Sequence, residues 1–286
     1  MAVRTDLALE LAEGKRVSQQ TQTIEGFDLH TVSVAKTDTT FGRPPGQYVT
    51  LSMQDVLRRE ADAFPRACRA VAQILRQLAP SNQDPRAPVL VIGLGNRAVT
   101  PDAVGPLCCQ NVLATRHLVE RSPEQFRAFR PVAVLAPGVL GTTGVETGEI
   151  VLGVIDRIRP ELILAVDALA ARRLSRLMCT IQITDTGIVP GSGVGNARTA
   201  LTQESLGVPV IALGVPTVVD GATLAADIAQ QSGAQCEALE DLNTPVLVTT
   251  RDVDQQTADA ARVIGYGINL FLHPSLDIED MDLFLS

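Results

Sequence analysis

The run Val89-Leu-Val-Ile92 is apolar without alternation, which predicts a short strand buried on both faces, as in a parallel sheet. Gly93, Gly95 and Asn96 follow it, and all three tolerate the positive φ of a tight turn. Thr100, Pro101 and Asp102 then suit the N-cap, first position and first turn of a helix. Val104, Leu107, Cys108, Val112, Ala114 and Leu118 give that helix one broad apolar face. Upstream, residues 1–20 are polar without a clear period and predict an arm. Phe27 to Lys36 and Tyr48 to Met53 alternate like half-buried strands around the turn Gly42-Arg-Pro-Pro-Gly46. Gln54 to Leu78 carries the period of one long amphipathic helix.

Downstream, strand and helix alternate. Strands are predicted at Val132–Ala136, Leu162–Val166, Thr180–Thr184 and Val208–Leu213, and helices at Glu146–Ile158, Ala222–Gln231 and Thr257–Leu272. Residues 233–254 are poorly patterned. The pattern predicts an α/β fold, a mostly parallel sheet with helices on both faces and a smaller N-terminal lobe of β-hairpin and helix. The three-proline loop at 80–88 suggests the division: 1–80 for arm, hairpin and helix, with a leader at about 1–6, and 81–286 for the α/β core.

Composition narrows the chemistry. The 286 residues are 45% hydrophobic, lack Trp and carry a formal charge of −8, which predicts an aliphatic core and argues against direct nucleic-acid or anionic-membrane binding. Cys68, Cys108, Cys109, Cys179 and Cys236 have neither a disulfide framework nor a zinc spacing, so reduced, mostly buried thiols in a cytoplasmic setting are expected. There is no signal-peptide pattern and no apolar run of membrane-spanning length.

Asp102 follows the first strand of the core and Asp167 the third, so a doubly wound sheet would open both onto its carboxyl edge. Two neighbouring carboxylates cannot both ionise easily. One keeps its proton and can polarise a carbonyl while the other takes a proton from water. The competing reading is two unrelated carboxylates at helix ends. Thr186 and Ser192 lie in a glycine-rich stretch and suit supporting hydrogen bonds. Gly93-Leu-Gly-Asn-Arg-Ala98 fits a dinucleotide fingerprint only loosely, since its turn is too long and no ribose-binding carboxylate ends the next strand. A nucleotide- or phosphate-binding module is therefore the alternative of another class. His273, just past the last helix, reads as a dipole partner.

Several blocks resemble one family: Val3-Arg-Thr-Asp-Leu-Ala8, Val91-Ile-Gly-Leu-Gly-Asn96, Val99-Thr-Pro-Asp-Ala103, Ala136-Pro-Gly-Val139 and Val166-Asp-Ala-Leu-Ala-Ala-Arg172. Ile181 to Asn196, Gly214-Val-Pro-Thr-Val-Val-Asp220 and Gly267 to Pro274 extend the likeness in order. The sequence resembles the spore germination proteases, atypical aspartic endopeptidases whose wider fold looks like that of hydrogenase maturation peptidases and other phosphorylase/hydrolase-like proteins. The resemblance implies Asp102 and Asp167 as catalytic residues; supporting or substrate-binding roles are expected beside them at Gly95, Asn96, Thr186, Ser192 and Gly193. It also implies small acid-soluble spore proteins as substrates, a zymogen in the forespore or spore core, and a homotetramer; no cofactor or metal is expected, because no residue clearly fills the role of the histidine with which the maturation peptidases grip nickel. A metal-dependent maturation-type peptidase using the same aspartates is the alternative enzyme. Thr5-Asp6-Leu7-Ala8-Leu9-Glu10 resembles the site that the family cuts, so self-cleavage is expected between Asp6 and Leu7. The alternative is a helix-face pair, Asp6 and Glu10, near a frayed end.

Overall fold

The computed structural model describes residues 4–38, 40–232 and 246–285. Among them one sheet runs through the whole molecule. Its strands are β1 (Ser18–Ile24), β2 (Phe27–Val34), β3 (Gly46–Ser52), β4 (Val89–Gly93), β5 (Val132–Leu135), β6 (Leu162–Ala171), β7 (Thr180–Thr184), β8 (Val210–Asp220) and β9 (Leu247–Val248). The order is β1-β2-β3-β7-β8-β6-β4-β5, with β9 also beside β8.

The α/β expectation holds, but the sheet is mixed rather than mostly parallel. Only β5-β4, β4-β6 and β6-β8 pair in parallel. The pairs β1-β2, β2-β3, β3-β7, β7-β8 and β8-β9 are antiparallel. The reason is topological. The chain leaves β6 through a loop at 172–179, too short for a crossover helix, so β7 returns antiparallel beside β8. β3 then pairs with β7, so the N-terminal hairpin extends the sheet of the core.

The β4 pattern is explained by two cores. Val89 and Val91 face the helices Ala63–Leu78 and Val253–Leu272, whereas Leu90 and Ile92 face Val151 and Val154 of the helix Thr147–Ile158. Fully burying each such aliphatic side chain contributes about 1.5–3 kcal/mol. β6 and β8 run on through Ala171 and Asp220, beyond their predicted ends, because they continue to pair with each other past a bulge at Leu169/Ala170.

Three other expectations change. The long helix at 54–78 breaks at residues 58–62, where Arg59 and Asp62 take positive φ, leaving Gln54–Leu57 and Ala63–Leu78. The helix predicted from Thr100 divides into a 3-10 turn at Thr100–Asp102 and short helices at Val104–Cys109 and Arg116–Arg121. The N-terminal arm is docked rather than loose: Leu7 and Ala8 are fully buried, and β1 follows at Ser18. β1 is built from Gln, Thr and Ser as far as its last residue, Ile24, so no hydrophobic alternation announced it. Cys236 and most of the unpatterned stretch lie outside the described residues; Cys68 and Cys108 are buried and Cys109 and Cys179 half-buried, all as free thiols.

His273 is no dipole partner. It is fully buried against the Phe129 ring, neither ring nitrogen has a hydrogen-bond partner, and burial, aided by Arg130, pushes its pKa down to about 4. It is neutral at physiological pH.

The first helix of the core packs closely on the ends of two strands. The Leu94 amide donates to the Val166 carbonyl (2.8 Å), tying the end of β4 to β6. A Cβ on Gly105 would fall 2.3 Å from the Leu94 carbonyl oxygen and 2.5 Å from that of Val166. Both obstacles are backbone, so Gly105→Ala must move the helix or the strand. The expected outcome is a loss of at least about 1–3 kcal/mol in denaturant-unfolding free energy, the usual cost of overpacking, whereas Gly141→Ala, facing open space, should be near neutral.

Candidate active site

The same contact places the two aspartates. β4 ends at Gly93, opposite Val166, so Asp167 stands one residue beyond the pairing, still within β6 and paired with Gly214 of β8. Asp102 returns to the end of β4 on its 3-10 turn, where its Oδ2 accepts from the Asn96 amide (2.7 Å). Asp167 Oδ1 accepts from the Ala168 amide (2.8 Å). Both line a cleft of about 620 Å³ that also takes in Gly95, Asn96, Gly193 and Asp6, a volume within the usual range of ligand pockets.

Their environments differ. Asp167 is 5% exposed, and its pKa lies well above the ordinary carboxylate range, first because burial disfavours its charge, then because of the Asp102 charge and, more weakly, Asp6. Asp102 is also raised by burial, but the Asn96 amide opposes the rise. The pair therefore shares one proton more readily than two charges, with Asp167 the better proton holder.

Asp6 was expected at a cleavage point and lies in the cleft wall. Its Oδ2 accepts from the Ala170 amide (2.9 Å), its Oδ1 from the Ser192 hydroxyl (2.7 Å), and Arg43 approaches to 3.4 Å. Gly193 packs so closely on this carboxylate that a Cβ there would lie 2.0 Å from Oδ2. Glu10 accepts from the Arg172 (2.7 Å) and Arg173 (3.0 Å) amides. Asp6 and Glu10 thus fasten the arm to the end of β6. The Gln182 amide brackets the bond between Asp6 and Leu7, donating to the Asp6 carbonyl (3.1 Å) and accepting from the Ala8 amide (2.7 Å).

Of the other expected site residues, Ser192 contacts Asp6, not the aspartate pair. Thr186 lies in a neighbouring pocket, hydrogen-bonded to Thr184 (3.0 Å) and the Tyr48 hydroxyl (3.2 Å). Arg43 and Gln182 were not anticipated. Arg43 sits in a Pro/Gly turn, where a basic residue is a weak signal, and Gln182 is the polar break between Ile181 and Ile183. Among the described residues, no three His, Cys, Asp or Glu side chains gather as a metal site.

The fold and cleft define an α/β protein with a paired-carboxylate centre, and comparison with known proteins supplies its class. The germination protease family model matches residues 5–232. The germination protease of Caldanaerobacter subterraneus subsp. tengcongensis is 41% identical, covering 100% of this chain and 98% of that protein. That of Clostridium acetobutylicum is 37% identical over 100% and 99%. The Bacillus subtilis protein of the same name is 43% identical over 79% of this chain and 65% of its own length. The chain belongs to the germination protease family, and it is a peptidase. Among the described residues no helix is long and apolar enough to cross a membrane.

The raised pKa of Asp167 has a consequence for stability. In the unfolded chain the group ionises near its ordinary value, while the folded state holds the proton to higher pH. Its contribution is fully present below the unfolded pKa and is lost as pH rises toward the folded one. Asp167→Asn should therefore unfold at a higher temperature than wild type at pH 7–8, with the gap closing near pH 3. Equal gaps at both pH values in a thermal-unfolding series would contradict this electrostatic account.

Proposed function

We propose that this peptidase cleaves small acid-soluble spore proteins during spore germination, with Asp102 as general base and Asp167 as general acid. The observation that carries the reading is the difference between the two carboxylates: Asp167 buried and proton-holding, Asp102 stabilised as an anion by the Asn96 amide, both on one cleft. Asp102 takes a proton from a water molecule as its oxygen attacks the peptide carbonyl. Asp167 gives its proton to the carbonyl oxygen, forming a neutral tetrahedral adduct. As the C–N bond breaks, the proton held by Asp102 passes to the leaving nitrogen, and the adduct hydroxyl returns its proton to Asp167. No metal or cofactor enters these steps. The parallel quartet β5-β4-β6-β8, with acids at two adjacent strand ends, supports kinship with the hydrogenase maturation peptidases.

Synthesis as a zymogen in the forespore, location in the spore core and assembly as a homotetramer belong to the same reading. So does contact with DNA only through its substrates. Self-cleavage between Asp6 and Leu7 has a structural condition. Leu7 is buried and Gln182 holds both sides of the bond, so the arm must leave its seat before any catalytic pair can reach it.

Asp102→Asn and Asp167→Asn should each lower peptide hydrolysis at least ~100-fold with the fold intact, and the double variant should lose little more. Near-normal turnover by either single variant would end the dyad reading. Exhaustive chelation should leave activity within about twofold of the untreated enzyme, since water activation by a bound ion would be abolished by it; reversible loss with stoichiometric metal would favour the maturation-type alternative. Intact mass during activation should show loss of residues 1–6 in wild type and none in Asp102→Asn, whereas a fully active chain that never shortens would remove the zymogen step.

A further inference from the structure

The two edges of the sheet are finished differently. β5 is four residues long, and Thr115 covers its first residue: the Thr115 amide donates to the Val132 carbonyl (3.0 Å), and its hydroxyl accepts from the Val132 amide (3.0 Å). β1 is seven residues long, Ser18-Gln-Gln-Thr-Gln-Thr-Ile24, and its first six side chains are exposed. It pairs with β2 without a bulge and carries no charge and no proline. Among the described residues no strand pairs with its other side, and bulges, charges and prolines are the usual protection of such an edge.

The hairpin turn fixes which backbone groups face outward. Glu25 and Gly26 both take positive φ (50° and 85°), the type I′ geometry that makes Ile24 and Phe27 a hydrogen-bonded pair. Alternation then turns the amides and carbonyls of Ile24, Gln22, Gln20 and Ser18 toward β2. Those of Gln19, Thr21 and Thr23 point away from it. The Thr21 hydroxyl meets the His30 ring across the strands (3.1 Å), as expected of a close, non-hydrogen-bonded pair.

We propose that the outward edge of β1 pairs antiparallel with β1 of a second copy of this chain, about a twofold axis at Thr21. Thr21 then faces its own counterpart, and Gln19 faces Thr23 on either side, so three residue pairs exchange up to six backbone hydrogen bonds. Charge selects this partner and orientation. At net −8 two copies repel, and an uncharged strand is where they approach at least cost. Lys15 and Arg16 precede β1 and Glu25 follows it. Antiparallel pairing sets the basic end of each strand against the acidic turn of the other; parallel pairing would stack like on like. In the chosen register Arg16 lies beside the Glu25–Gly26 turn of the second copy, where Glu25 already accepts from Arg69.

The test is the solution mass of the full chain by light scattering. Thr21→Pro removes an outward amide and leaves the β1-β2 bonds of Gln20 and Gln22 in place. Wild type should be an oligomer, and Thr21→Pro should have half its mass or less at the same concentration, with unchanged circular dichroism. Thr21→Cys gives a second readout independent of the proline variant's folding. Opposed Cα atoms in a hydrogen-bonded antiparallel pair lie about 5.5 Å apart, within disulfide reach. Mild oxidation should produce a reducible covalent dimer that wild type and Gln19→Cys do not form. A monomeric wild type, which would leave the edge to a foreign strand, overturns the proposal. So does a folded Thr21→Pro variant of wild-type mass, or the absence of a Thr21→Cys dimer.

Discussion

The close approach of the Val104–Cys109 helix to the ends of β4 and β6 is the constraint on which the site depends. Gly105 lies against two backbone carbonyls, and the Leu94 amide bridges to Val166. Any side chain at 105 would push the helix away and carry the Asp102 turn with it. Because the turn is held down, Asp102 stays near enough to Asp167 for its charge to raise that group's proton affinity. A backbone contact between apolar elements thereby sets the electrostatics of two carboxylates.

The N-terminal arm adds a third carboxylate to this balance. Asp6 is satisfied by the Ala170 amide and the Ser192 hydroxyl, with Arg43 close by, so its burial in the cleft wall is compensated. It still contributes to holding the Asp167 proton. Departure of the arm would remove that charge, open the cleft wall and free Gln182 together. Arm position and the proton inventory of the aspartate pair are therefore linked. The anchoring groups come from β6, β7 and the glycine-rich loop at 191–195, elements brought together only by the folded sheet.

His273 and the free edge of β1 show the opposite relation between sequence and surroundings. A histidine after a helix reads as a cation near the helix C-terminus, yet its surroundings decide its charge. Packed against Phe129 and near Arg130 it stays neutral. A Gln/Thr-rich segment reads as an arm because hydrophobic alternation is the signal for strands, and β1 has none except Ile24. The type I′ turn at Glu25-Gly26 and pairing with β2 make it a strand.

By itself the sequence determined the doubly buried strand at 89–92, the turn and acid that follow it, the position of Asp167 near the level of that strand's end, and the α/β class. These are local matters of periodicity and turn chemistry, and blocks of family likeness run along the same stretches. Only the tertiary structure decided that the sheet is mixed, since β7 could pair on either side of a parallel core and its direction followed from the short loop after β6. Tertiary packing alone also seated Asp6 on Ala170 and Ser192, bracketed the Asp6–Leu7 bond with Gln182, and gave Asp167 the stronger hold on a proton. The first two depend on contacts between residues more than a hundred positions apart, and the third chiefly on burial, which sets the cost of a charge and is a property of the fold and not of any single segment.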